Sequence, residues 1–369
     1  MTKQVWKIER FSTDVTNQIE SLQYFTGRRT QFDSWSPGSL VFTIHNDNGE
    51  ANGYDLNDRI ILTAVGASFF QWFYVQEVLF DDRGGDGGGS SATIVCTDLL
   101  GRMGRISVFE QSIGSAGTVI QLFDEFNSLM PSGTNIAPLG DGDSTAAADG
   151  SYTGTVLNRV NLNMTTEQGL IQQDSNTVYL FSRSNINVFG PAVITLARTA
   201  SGSFQMGYFD IKRIALGSNY LNNCTVIPPT AAQQNSTDAT GVSTYGTYGA
   251  EFATVDNSQA QALSFAQWQV QSRSDPDELS FQISVSDTAN NLTELFVAIY
   301  SQIPVVTVSY QNPGSPTELV STQIIQGWGM SVTPSRTDME IFTSPLTYTN
   351  FFTLDSDTFG VLDQSRLGW

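Results

Sequence analysis

The chain offers little from which a catalytic or metal centre can be built. It holds one histidine, His45, and two cysteines, Cys96 and Cys224. One imidazole excludes every multi-histidine zinc site, and two thiols exclude a four-cysteine zinc or iron–sulfur site. His45 closes an apolar run, SLVFTIH, and no G-x-S-x-G turn is present to supply a serine nucleophile for it, so it reads as a structural histidine at a strand end. The cysteines stand in apolar strand-like contexts, TIVCT and NNCTVI, and read as buried free thiols. The run Gly84-Gly85-Asp86-Gly87-Gly88-Gly89 lacks the Gly-Lys-Ser/Thr of a phosphate-binding loop and reads as a hairpin tip, with a calcium ion shared by Asp81, Asp82 and Asp86 as the alternative. Asp141 and Asp143 read as part of a solvated linker. Arg28 and Arg29, ahead of Phe32 and Trp35, read as ion-pair partners of Asp33, of Asp55 or of a neighbouring subunit. The Asn-x-Ser/Thr triplets at Asn163, Asn223, Asn235 and Asn291 carry no weight without a secretory route. No catalytic, cofactor-binding or metal-binding residue is assigned, and no cofactor is expected.

Charge narrows the function classes further. Of 369 residues, 36 are acidic and 17 basic, for a net charge of −19, and the only lysines are Lys3, Lys7 and Lys212. Specific nucleic-acid binding rests on Lys and Arg neutralising phosphates, so this composition argues against it. The N-terminus, MTKQVWKIERFSTDVTNQ, lacks the apolar run of a signal peptide, and no stretch approaches the ~20 apolar residues of a membrane span. The sequence reading is a chain made in the cytoplasm, without a membrane span and with reduced thiols.

The elements that would position any site are mostly strands. Runs bounded by Gly, Pro, Asn and Asp fall at 39–45, 59–65, 72–80, 92–97, 177–182, 192–197, 279–285, 303–310, 319–325 and 337–342, several of them alternating apolar and polar. Helices are few. The spacing predicts one over 118–130, stopped by Pro131, and one over 257–272 with Leu263, Ala266 and Val270 on one stripe and Asp256 or Asn257 as N-cap. A turn or two of helix is expected at 98–103. Stretches 81–91, 138–151 and 228–250 are rich in Gly, Ser, Thr and Pro, the first as a hairpin loop and the others as boundaries.

A faint internal repeat links the two ends of the chain. Strand 39–45 is followed by YDLNDRIILTA, QWFYVQEVLFDD, a loop and ATIVCTDLL; strand 279–285 is followed by LFVAIYSQIPVVTVSY, ELVSTQIIQGWGM, a short turn and TDMEIFTSPL. Each unit reads as a strand, an approach to a second strand, then a third and fourth paired as a hairpin. The fold class expected is therefore mainly β: two tube-like β-barrel modules, a middle α+β domain and few short helices. The expected divisions are a first barrel with its following helix at 1–137, a middle β-rich domain at 151–227, a linker at 228–250, a helix and second barrel at 251–345, and a C-terminal extension at 346–369.

In this order the residues resemble the minor tail proteins, or tail-tip hub proteins, of long-tailed bacteriophages. The stretch GRRTQFDSWSPGSLVFTIHNDNG…YDLNDRIILTA at 27–64 is similar to the opening of that family, and ATIVCTDLL at 92–100 to its aspartate leading a leucine pair. TTEQGLIQQDSNTVYLFSR at 165–183, YFDIKRIALGSNYLNNCTVIPP at 208–229 and YGTYGAEFATV at 245–255 follow in matching order. The C-terminus, FFTLDSDTFGVLDQSRLGW at 351–369, carries the most specific likeness. Two departures are a longer, more glycine-rich loop at 81–91 and the absence of a histidine from GWG at 327–329.

The resemblance implies a structural, non-enzymatic virion protein at the distal end of the tail. It implies a baseplate hub, a homotrimeric ring joining the tail tube to the tip and contacting the distal tail ring, tape measure and tip or fibre proteins. Two barrels per chain would let three copies match a sixfold tube, and an acidic lumen would repel DNA in transit. The alternative is a receptor- or carbohydrate-binding tail module, with Trp35, Trp72, Trp268 and Trp328 as candidate sugar platforms. A third reading, a wall-degrading hydrolase, would have to rest on a carboxylate pair alone.

Overall fold

The computed structural model describes residues 6–65, 70–81, 89–112, 118, 124–139, 142–147, 151–183, 194–199, 205–215, 219–274, 279–287, 292–300, 305–312, 314–333, 335–345, 351–352 and 366–367. The first unit contains β1 (Trp6–Arg10), β2 (Thr13–Asp14), β3 (Ile19–Gly27), β4 (Ser39–His45), β5 (Arg59–Ala64), β6 (Phe70–Asp81) and β7 (Ser91–Thr97). Period-two alternation sets the faces of these strands. In β4, Leu40, Phe42 and Ile44 are buried while Ser39 and His45 are exposed, and in β7, Ala92, Ile94 and Cys96 point inward. The strands lie antiparallel in the order β3-β4-β7-β6-β5-β1-β2.

A middle α+β region follows: α1 (Leu99–Met103), β8 (Ser107–Ser112), α2 (Asp124–Asn127), β9 (Asn135–Leu139), β10 (Ser151–Thr155), α3 (Val156–Glu167), β11 (Leu170–Asp174) and β12 (Thr177–Phe181). The Asp98 side chain caps α1 by accepting from Gly101 N at 3.0 Å, and Thr155 caps α3 by accepting from Asn158 N. Val156, Val160 and Met164 of α3 pack with Leu99, Met103, Val178 and Leu180 in a core separate from that of the strand units.

The chain returns to the large sheet with β13 (Ile194–Ala197) and β14 (Gln205–Ala215), then leaves it for β15 (Asn223–Ile227), β16 (Gln234–Thr237), α4 (Ala239–Tyr245), β17 (Gly249–Ala253) and α5 (Gln259–Arg273). Strand β15 pairs with β16 and β17, and α5 covers them through Ala262, Phe265, Ala266 and Val270. The second unit then completes with β18 (Leu279–Ser286), α6 (Leu292–Tyr300), β19 (Val305–Gln311), β20 (Glu318–Thr333) and β21 (Arg336–Pro345). Six of its strands close a barrel, β19-β13-β14-β18-β21-β20, with β20 pairing back to β19.

The mainly β fold stands, and several finer expectations change: of the two barrels expected, the described strands close the second, while those of the first unit run in an open order ending at β2. Residues 234–253 are not a linker: they carry two strands and a helix, because Cys224 and Val226 of β15 are wholly buried under α5 and need partner strands. Strands β13 and β14, expected in the middle domain, belong to the second barrel, where Ile194, Leu196 and Met206 complete its core. The N-cap of α5 is Ser258, one residue beyond Asn257, whose side chain instead contacts Thr145 and Ala146. Ala266 and Val270 are buried as expected, whereas Leu263 is only half-buried and Ala262 and Phe265 complete the buried stripe. Of the helix expected at 118–130, Asp124–Asn127 is helical, and 119–123 lie outside the described residues. Helices α3 and α6 were not expected.

Candidate functional site: a sheet wall shared by the two units

The internal repeat is borne out strand by strand. The order β4-β7-β6-β5 in the first unit is matched by β18-β21-β20-β19 in the second, antiparallel throughout. Strand β3 stands beside β4 as β14 stands beside β18.

The irregularities coincide as well. The β6·β7 ladder carries an extra residue between Val75 and Glu77, and the β20·β21 ladder carries one between Ile325 and Gly327; the extra residue is a glutamine in both, Gln76 and Gln326. The β3·β4 ladder shifts between Ile19 and Ser21, and the β14·β18 ladder between Tyr208 and Asp210. A bulge fixes register and bends its strand, so matched bulges on matched strands give the two units the same local curvature.

The units fuse edge to edge through β3 and β20, with Gly27 opposite Gly327, Phe25 opposite Gly329 and Leu22 opposite Val332. The result is an eight-strand wall in the order β14-β18-β21-β20-β3-β4-β7-β6, four strands from each unit. Its inner face is one continuous core. At the seam Trp328, 2% exposed, packs 4.4 Å from Tyr24 and 5.3 Å from Phe296, ring centre to ring centre, and the Tyr24 hydroxyl donates to Gln71 Oε1 at 2.6 Å.

Glycine is required at the seam. Gly27 has φ +88°, and a Cβ there would stand 2.5 Å from the Gln326 carbonyl oxygen; one on Gly327 would stand 2.6 Å from that of Arg28. The bulged Gln326 also anchors the chain leaving β3. Its backbone carbonyl accepts from Arg28 N at 3.0 Å, and its side-chain oxygen accepts from Arg28 Nε at 2.7 Å.

The outer face of the wall mixes polar and charged residues with apolar ones, among them Phe25, Val41, Leu79, Val95 and Ile214. It presents Ser21, Gln23, Ser39, Thr43, Thr93, Gln282, Ser284 and Ser331, with the acids Glu77, Asp81, Asp210, Asp338 and Glu340. Lys212 and Arg336 are the cations in these rows among the described residues, and Arg336 Nε lies 2.6 Å from Asp338. Acids outnumber cations in these rows, five to two among the described residues. Cations, the groups that would hold a phosphate backbone, are few on this face: besides Lys212 and Arg336, Arg29 lies over Phe342.

His45 is exposed at the end of β4, with Nδ1 2.8 Å from Glu20. Cys96 and Cys224 are buried free thiols, with burial raising the first well above the ordinary range and pushing the second up to about 12. Arg28, expected to meet Asp33, donates from Nη1 to the Asp33 carbonyl at 3.3 Å. Arg28 stacks over Trp35 at 4.5 Å besides its bonds to Gln326, and Arg29 lies 5.7 Å above Phe342, while the Asp33 carboxylate accepts from Thr30 N. Asp82, Asp86 and Gly84–Gly88 lie outside the described residues, as does Asp141; no cluster of three metal-ligating side chains occurs among the described ones.

The stretch around Asp143 is not solvated linker throughout. Asp143 N and Ser144 N donate to the Glu167 carboxylate at 2.6 and 3.0 Å, and burial raises Glu167 to about 7 although both donors favour its ionised form. The tryptophans proposed as sugar platforms are packed: Trp35 is 7% and Trp328 2% exposed, Trp72 lies under Arg59, and Trp268 contacts Phe265 and Phe32. No helix among the described residues is long and apolar enough to cross a membrane.

No family model and no curated protein sequence matches the chain. Its fold matches solved structures. A tail protein from Neisseria meningitidis aligns with a TM-score of 0.61 at 12% identity, over 93% of this chain and 96% of that one. A tail protein of prophage MuSo2 from Shewanella oneidensis aligns with a TM-score of 0.61 at 10% identity, over 94% of this chain and all of that one. An E. coli type VI secretion component, described as structurally similar to the T4 bacteriophage tail proteins gp27 and gp5, aligns with a TM-score of 0.50 at 9% identity, over 90% and 75% of the two chains. The chain thus has the fold of phage tail proteins over nearly its whole length.

Proposed function

We propose that this chain is a structural protein of a phage tail tip, a baseplate hub whose copies form a ring joining the tail tube to the distal tip. The observation that carries the reading is the doubled four-strand unit, matched in strand order and bulges and fused into one wall. A chain with two equivalent units presents six from three copies, so a homotrimer mates with a sixfold tube through one repeated contact.

Three eight-strand walls supply 24 strands, which at ~4.8 Å spacing and before tilt close on a ring about 37 Å across, wide enough for a nucleic-acid duplex. The cation-poor outer face then lines the lumen, where DNA slides past few phosphate partners. The middle region and the β15–α5 layer face the neighbouring tail proteins. No catalytic step is part of this function. The mass of the purified full chain, measured across concentration by light scattering, tests the reading: three-chain rings are expected, and a chain that stays monomeric at high concentration contradicts it.

A further inference from the structure

We infer that consecutive chains in the ring are joined by strand pairing between β6 of one copy and β14 of the next, in the register that β20 and β3 already use within the chain. The inference rests on the ring reading and specifies its contact. The matched bulges equate β6 with β20 and β3 with β14, residue by residue: Val78 with Trp328, Asp81 with Ser331, Gln23 with Lys212, Thr26 with Ala215. Strand β20 uses one edge for β19 over 318–324 and then for β3 over 327–332. Strand β6 uses the same edge for β5 over 70–74, and among the described residues no strand continues along 77–81. Strand β14 pairs with β13 only over 205–207, and among the described residues no strand lies on that side of 208–215. An edge exposed at each end of the wall is a template for another strand.

Side chains fit the pairing. Transferring the β20·β3 register places Leu79 opposite Ile214, Phe80 opposite Arg213 and Asp81 opposite Lys212 on the neighbour. Asp81 and Lys212 are exposed, of opposite charge, and fall on the same outer face. Phe80 points to the inner side and is 50% exposed, whereas its counterpart Met330, covered by β3, is 3% exposed. Leu79 is 49% and Phe209, at the β14 bulge, 56% exposed. The contact is head-to-tail between different surfaces, the kind that closes a ring.

Two sets of variants of the full chain test this junction. Facing residues on antiparallel strands lie within disulfide reach, so Leu79→Cys combined with Ile214→Cys is expected to cross-link neighbouring copies under mild oxidation, up to a covalent trimer, while either single variant gives none. Asp81→Lys or Lys212→Asp alone is expected to convert rings to smaller species, and the two together to restore them, with circular dichroism unchanged. Rings of unchanged mass in both single reversals, with no cross-link in the double cysteine variant, would overturn the junction and leave the ring reading standing. A chain that is monomeric in every form, with no cross-link, would overturn both.

Discussion

At the residue scale, the positions that matter most are small or buried rather than reactive. Gly27 and Gly327 let two backbones touch where the units fuse, and neither tolerates a Cβ without moving a neighbouring carbonyl. Gly27→Ala adds a positive-φ strain to that clash and is expected to cost about 3 kcal/mol or more, read as a large drop in melting temperature; a melt within a degree of the parent contradicts the seam as described. Glu167 gives a pH prediction with a definite sign. Its native value of about 7 lies above the ordinary carboxylate value of 4.5, so the native state holds the proton more tightly. The stability this contributes is complete below about pH 4.5 and is lost as pH rises through 7. Asp98, raised to about 6 by burial, acts in the same direction. Melts at pH 5 and pH 8 should show the parent losing stability at the higher pH. Glu167→Gln should reduce that loss by on the order of 2 kcal/mol; an unchanged pH difference contradicts the buried clamp on Asp143 and Ser144. The sequence made the strand-end position of His45 and the burial of the two free cysteines legible. It hid the role of Arg28, because its partner Gln326 lies far along the chain, and it hid Glu167, whose burial arises only when α3 and the Asp143 strap pack together.

At the element scale, alternation was the readable signal. Strands β4, β5, β7, β12, β18, β19 and β21 fall close to where their apolar–polar periods place them. Strand β20 runs well past the 319–325 segment because its second half, IQGWGM, is interrupted by glycines that read as a turn but serve the seam. Helix α3 was missed because its polar residues, NRVNLNMTTE, dilute the Val156, Val160, Met164 stripe. Helix α6, LTELFVAIY, is rich in β-formers, and its packing against the Trp328 core overrides that preference. The segment 228–250 has linker composition yet folds, since polar strands suffice where one face is covered by α5.

The bulges carry an element-scale prediction. Deleting Gln326 removes the bulge while Gly327 and Trp328 keep their partners Phe342 and Ile341, so the variant is expected to lose the local curvature and both Arg28 bonds and to melt well below the parent. A melt matching the parent's in that deletion contradicts the part the bulge plays at the seam.

At the scale of the whole molecule, the doubling was legible as a repeat of pattern without identity, because topology and bulge position survive when residues diverge. The surface chemistry was legible in part. Net charge suggested an acidic wall, and the outer rows of the wall carry Glu77, Asp81, Asp210, Asp338 and Glu340 against Lys212 and Arg336 among the described residues. The packed tryptophans leave no aromatic platform among the four proposed for sugars, which weighs against a carbohydrate-binding role for them. An image of the assembled tail tip resolving this protein around the tail axis tests the central claim most directly. Three copies presenting six alternating four-strand walls to the lumen is the expected result; any other copy number, or walls turned away from the axis, contradicts it.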